Sequence, residues 1–250
     1  MNPALLIARK EAGELLLSLR GLGWLMTMAA ALSVFSVLLV SDSELSLLDN
    51  AQVVYDMAAI ATAMGTLLAL LVGIDSVAGE RERGSLLPLL LTRASREAVL
   101  LGKIAGIAIA WTVMFAVSVA YLWAVGSTGQ NLAGSVVAVA LIGTPAVLGF
   151  GLLGLAIGAV VGSARAGQLS GLMVLLVSTS PLLLGPSLRQ STVGRIFDRV
   201  NPFSGAVDAY DAVIIDSQSI AAQAFDLYLV MAWLGLTMIA AVVAFRRMSR

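Results

Sequence analysis

Six stretches free of any charged side chain constrain this chain more than any other feature: Gly21–Val40, Met57–Ile74, Ile104–Val125, Leu132–Gly162, Gly167–Leu184 and Leu227–Phe245. A hydrocarbon core about 30 Å thick is crossed by roughly 20 helical residues, and each run approaches or exceeds that length. In lipid only a helix or a closed barrel satisfies its own backbone, and uninterrupted apolar runs are helical. The fold class is therefore an all-α polytopic membrane protein with six transmembrane helices. The hydrophobic share of 59% and charged share of 12% agree, since a soluble domain carries roughly 25% charge. Residues 1–250 read as a single transmembrane domain, with no room for a large soluble one. The fourth run is longer than needed and holds Pro145, which predicts a tilt or kink rather than a division in two. About 20 residues of helical pattern precede the first run and no small-residue cleavage site follows it, so it reads as a retained span.

Basic residues orient the spans, because Lys and Arg near span ends resist translocation. Arg9, Lys10, Arg20, Arg81, Arg83, Arg93, Arg96, Lys103, Arg165, Arg246, Arg247 and Arg250 fall on one side, which is twelve of the fifteen basic residues. That side is expected to be cytoplasmic, with both termini there and the chain in the cell inner membrane. The opposite side carries Arg189, Arg195 and Arg199 against nine aspartates and glutamates, from Asp42 to Asp226.

The absence of cysteine and histidine excludes disulfides, thiol nucleophiles, imidazole bases and the common zinc-ligand sets. A net charge of zero makes no case for a nucleic-acid partner. Pumps and proton-coupled carriers place ionisable residues inside the bundle, whereas here Asp56, Asp75 and Asp226 sit at span ends. An intramembrane aspartyl protease needs two facing carboxylates, and Asp56 and Asp75 lie at opposite ends of one predicted helix. No catalytic, cofactor-binding or metal-ligating residue is assigned.

Two segments outside the spans are structured by their pattern. Within residues 1–20, a helix aligns Leu5, Ala8, Ala12, Leu15, Leu16 and Leu19 on one stripe, with Lys10, Glu11 and Glu14 turned away. This is an interfacial helix or, alternatively, an extension of the first span. The outer stretch 185–225, with Pro186, Pro202 and an apolar run at Ala206–Ile215 too short to span, holds re-entrant helices or is an ordinary outer loop. Gly154, Gly158 and Gly162 recur every fourth residue and are expected to pack helix on helix, as do Gly102 with Gly106 and Gly167 with Gly171.

The sharpest feature is the loop 75–103. Four alternating charges, Glu80, Arg81, Glu82 and Arg83, pass through Gly84 and Ser85 into Leu86-Leu87-Pro88-Leu89-Leu90-Leu91. A solvated loop has no use for so many leucines, and a span would not tolerate so many charges. An amphipathic surface helix meets both halves, either as a cytoplasmic docking element or as an interfacial anchor.

The Ala78-Gly-Glu-Arg-Glu-Arg-Gly-Ser-Leu-Leu87 segment, Leu90-Leu-Thr-Arg93, Ser95-Arg96 and Leu100-Leu-Gly-Lys103 resemble the ABC-2 type permease family. The Ile7-Ala-Arg-Lys-Glu11 start is similar to its branch associated with copper-enzyme maturation and nitrous oxide reductase assembly, and Asn201-Pro202-Phe203 fits the family too. The resemblance implies a permease, most simply an exporter, that is not itself an enzyme. It implies an elbow helix at Ile7–Leu19, a coupling helix at Glu80–Leu91 and short re-entrant helices before the sixth span. Glu80, Arg81, Glu82, Arg83, Gly84, Ser85, Leu86, Leu87, Leu90 and Leu91 would then dock onto an ATP-binding cassette subunit. The chain has no Gly-x-x-x-x-Gly-Lys-Ser/Thr loop, since Gly102-Lys103 has Glu97 at the first glycine position. ATP and Mg would be bound by that partner, beside a second permease copy and membrane lipids. On this reading, replacing Glu80 and Arg83 with alanine uncouples ATP hydrolysis from transport. The rival readings are a scaffold or signalling subunit that moves nothing, and an ATP-independent channel or carrier.

Overall fold

The computed structural model describes residues 3–41, 50–85, 95–126, 132–183 and 191–248, and contains no strand among them. α1 (Pro3–Leu17) and α2 (Leu19–Ser41) open the chain. α3 (Asn50–Ile74) continues through a π turn at Asp75–Gly79 into the one-turn α4 (Glu80–Glu82). α5 (Arg96–Gly126) follows, then α6 (Leu132–Ala138), which passes through a π turn at Val139–Gly143 into α7 (Thr144–Val160). α8 (Ala164–Leu183) leads to the short α9 (Thr192–Val200) and α10 (Pro202–Tyr210). α11 (Ala224–Arg247) closes the fold.

Among the described residues, five helical stretches are long and apolar enough to cross a membrane: Gly21–Leu39, Ala51–Glu82, Arg96–Gly126, Leu132–Val160 and Ile220–Arg247. Six were expected. The remaining one, Gly167–Leu184, falls on α8, a 20-residue helix that is not among the five. The centre of the bundle is built from α3 and the α6–α7 stretch, whose surfaces are mostly buried, while α2 and α11 turn most of theirs outward. Pro145 leaves the span undivided. Its missing N–H strips the Leu141 carbonyl of its helical donor, and the wider turn at Val139–Gly143 lies over that gap.

Glycines let α3 and α7 meet backbone to backbone. A Cβ on Gly154 would stand 2.3 Å from the Leu70 carbonyl oxygen, one on Gly158 2.8 Å from that of Ile74, and one on Gly73 2.4 Å from that of Gly151. Close approach of this kind compensates in a bilayer for the missing hydrophobic drive between helices. Gly162, expected on the same face, lies past the end of α7 with open space around it. The four-residue repeat ended with the helix that gave it meaning.

α1 does not extend α2. The two helices are separated at Ser18, whose hydroxyl accepts the Gly21 N–H at 3.0 Å, and the chain folds so tightly that a Cβ on Gly21 would run into the Leu15 carbonyl. The buried face of α1 carries Ile7, Ala8 and Glu11, while Leu5, Leu17 and Leu19 are exposed. The stripe drawn from the sequence is thus corrected, because Glu11 turns inward to a partner on another helix.

The outer stretch divides into two. α9 exposes Val193, Ile196 and Val200, and the residue that ends it, Asn201, accepts the Phe203 N–H at 3.0 Å and donates to the Ser178 carbonyl, so that α10 starts in a new direction at Pro202. In α10 every residue but Asp208 is buried, and its Tyr210 hydroxyl reaches Thr62 on α3 at 2.8 Å.

The crossing of α3 and α7 makes a clean pair of variants. Gly154→Ala should lower the thermal unfolding midpoint in detergent, with an overpacking cost of about 1–3 kcal/mol, while Gly162→Ala leaves it unchanged. Equal effects of the two would show that the backbone crossing does not limit stability.

Candidate functional site

Lys103 is the hub of the end of the bundle where the loop begins and ends. Sequence alone put it in the loop, one residue before the third span, but α5 starts at Arg96, so Lys103 sits about two turns inside the helix. Its side chain is 0% exposed. An ammonium held there must find acceptors for all three protons, and it does. It donates to Glu11 Oε1 at 2.8 Å, to Glu80 Oε2 at 2.8 Å and to the Ser76 carbonyl in the π turn at 2.6 Å. Lys10 reaches the other oxygen of Glu80 at 3.1 Å and Glu14 at 3.5 Å, so two cations meet three carboxylates.

Burial pushes the Glu11 carboxyl above the usual glutamate range, against the pull of Lys103. For Lys10, burial opposes the charge, but the hydrogen bond and charge of Glu80, aided by Glu14 and Glu11, hold the ammonium above the usual lysine range. The cluster joins three separate pieces of chain: α1 through Lys10 and Glu11, the end of the second span through Ser76 and Glu80, and α5 through Lys103. Gly106 admits α1 at this point, since a Cβ there would lie 2.6 Å from that of Glu11.

The next three charges each take a different partner. Arg81 donates to the carbonyls of Ala159 and Val161 at 2.9 and 2.7 Å, and so caps the end of α7, where the orphan carbonyls favour a cation. Glu82 accepts the Ala164 N–H at 2.9 Å, capping the start of α8. Arg83 lies 3.5 Å from Asp75 on its own helix, both half exposed. Glu80 and Arg81 are thus turned inward, while Glu82, Arg83, Gly84 and Ser85 are exposed.

α4 stops at Gly84. Its N–H returns to the Arg81 carbonyl at 3.1 Å, that of Ser85 returns to Glu80 at 3.0 Å, and Gly84 takes a φ of 71°, the left-handed value that closes such helix ends. One unbroken helix from Glu80 to Leu91 is therefore corrected at this residue, because a left-handed backbone cannot lie inside a right-handed helix. Leu86, Leu87, Leu90 and Leu91 lie outside the described residues.

The side chains of the site are paired with one another. Glu11 and Glu80 converge on Lys103, and a cleft of about 280 Å³ opens beside them between Glu14, Trp24, Asp75 and Arg83. Sequence reasoning missed Lys103 and Glu11 as partners. The available signal was a lysine flanked by Leu100-Leu101-Gly102 and Ile104-Ala105-Gly106, which cannot be buried without a counter-ion.

Removing one member of such a cluster strands another. Lys103→Met should reduce the folded yield and lower stability by about 3–5 kcal/mol, and Glu80→Ala should behave similarly, whereas Arg83→Ala should cost less than about 1 kcal/mol. Size-exclusion profiles and unfolding midpoints of the three variants check this order.

A comparison with curated proteins gives no match. The family model described as ABC-2 family transporter protein matches residues 5–250. With several membrane-length apolar helices and a match over nearly the whole length, the chain belongs to the ABC-2 family of transporter proteins, as a multi-pass transmembrane permease of an ABC transporter.

Proposed function

We propose that this chain is the six-span permease subunit of an ATP-driven exporter, with α8 as the fifth span in chain order, α1 as an elbow helix and both termini in the cytoplasm of an inner-membrane protein. A separate ATP-binding cassette subunit, holding ATP and Mg, docks on the segment from Glu80 to Leu91, and a second copy of the chain completes the pathway. The observation that supports this best is the set of contacts made by Glu80, Arg81 and Glu82. These three consecutive residues join α1 and α5, the end of α7 and the start of α8.

A displacement of the loop by the ATPase would therefore reach four helices through short polar bonds instead of dissipating in a flexible hinge. The glycine crossing of α3 and α7 would carry it along the bundle, since rigid packed helices move as bodies. The burial of α10 among the spans supports its reading as a re-entrant helix on the outer side. The branch proposed, that associated with copper-enzyme maturation and nitrous oxide reductase assembly, rests on the resemblance of the Ile7-Ala-Arg-Lys-Glu11 start.

The internal pairing of Glu80 changes which residues test docking. Glu80→Ala would strand Lys103 and report on folding. Arg83 and the loop leucines are the informative positions. Changing Leu86 and Leu87 to Asp should abolish co-purification of a Walker-motif subunit from mild detergent while leaving the permease in the membrane. Arg81→Gln should keep the partner bound but lower vesicle transport per ATP hydrolysed. If the leucine variant still binds its ATPase, the docking assignment fails. If the complex forms but vesicles show no ATP-dependent transport, the chain is a scaffold.

A further inference from the structure

Where α5 begins and α11 ends, the two helices leave a groove of about 240 Å³ between them. Its walls are apolar, built chiefly from Leu101, Ile104, Met238 and Val242, and its mouth carries Arg96 from one helix and Arg246 from the other. These arginines stand at the first and next-to-last positions of two membrane-length stretches, beyond the apolar residues of each. One carboxylate shares the mouth: Glu97 lies 3.4 Å from Arg246, with side chains 74% and 70% exposed. An ion pair so open to solvent contributes little and yields readily to a stronger acceptor.

Apolar walls at acyl-chain depth below a pair of guanidiniums at headgroup depth match one ligand in both halves. We propose that this groove binds one anionic phospholipid, its phosphate between Arg96 and Arg246 and an acyl chain against Leu101, Ile104, Met238 and Val242. Guanidinium donors suit phosphate by shape as well as by charge. Two other apolar grooves provide the contrast. The one among α7, α8 and α11, lined by Val160, Val174 and Val243, has Arg247 alone at its edge, and the one beside Met173, Val177 and Trp233 has no charged residue in its lining. Only the α5–α11 groove, among these three, presents cations from two helices above an apolar channel. A lipid seated there would tie the start of the helix that bears Lys103 to the end of α11, and so would brace the loop-side end of the bundle.

Native mass spectrometry of the purified full chain, loaded with phosphatidylglycerol or with phosphatidylcholine of identical acyl chains, tests this. The wild type should retain one phosphatidylglycerol in preference to phosphatidylcholine. The Arg96→Gln/Arg246→Gln variant should lose that preference by roughly tenfold, the scale expected for two arginines near an anionic headgroup with Glu97 left in place. Arg247→Gln should retain it. Ile104→Trp, which fills the groove and keeps both arginines, should expel the lipid while the protein remains monodisperse and unfolds cooperatively. Equal retention by wild type and double variant would overturn the proposal. So would an equal loss in Arg247→Gln, which would mean diffuse charge attraction, or displacement of the lipid by glycerol phosphate alone, which would mean an anion site without an acyl groove.

Discussion

A single buried ammonium governs the organisation of this protein's loop-side end. Lys103 sits on a helix surrounded by apolar residues, and a charge there is tolerable only if every proton is matched by an acceptor. That demand draws Glu11 from the first helix, Glu80 from the end of the second span and the Ser76 carbonyl from a π turn to one point. The corner at Ser18–Gly21 follows from it, because α1 can present Glu11 to Lys103 only by leaving the axis of α2. The turn Asp75–Gly79 also follows, since it sets the Ser76 carbonyl and the Glu80 side chain on the same side of the chain.

The rest of the bundle is held by shape. α3 and α7 approach until glycine backbones touch, and the polar caps supplied by Arg81 and Glu82 hold the connection from α7 to α8 in place. Charge and packing therefore meet in one short segment. Residues 80–82 are bonded to α1, α5, α7 and α8, and the chain then turns at the left-handed Gly84, where the leucine-rich part of the loop begins.

Much of this was legible from residue types. Uninterrupted apolar runs marked the membrane-length helices, and the charge run at 80–83 marked the segment whose side chains reach several helices. Pro145 was read correctly as a local distortion, because a missing N–H perturbs one carbonyl without ending a helix whose surroundings are apolar. The roles of individual charges were not legible. Glu80 and Arg83 look alike in an alternating run, yet one is buried on Lys103 and the other is half exposed beside Asp75. The leucine stripe on α1 was misdrawn for the same reason, since Glu11 counts as polar until its partner is known.

What the sequence determined by itself is the medium, through the length and the lack of charge of its apolar stretches, which lipid solvates. These are properties of a segment and need no knowledge of its neighbours. Tertiary structure alone decided which charges are spent inside the chain, where the leading helix bends, and which short helix is drawn in among the spans. Each of those depends on residues 23 to 148 positions apart meeting at hydrogen-bond distance, and the free energy of a buried charge or hydroxyl is set by the partner it finds there rather than by the residue that bears it.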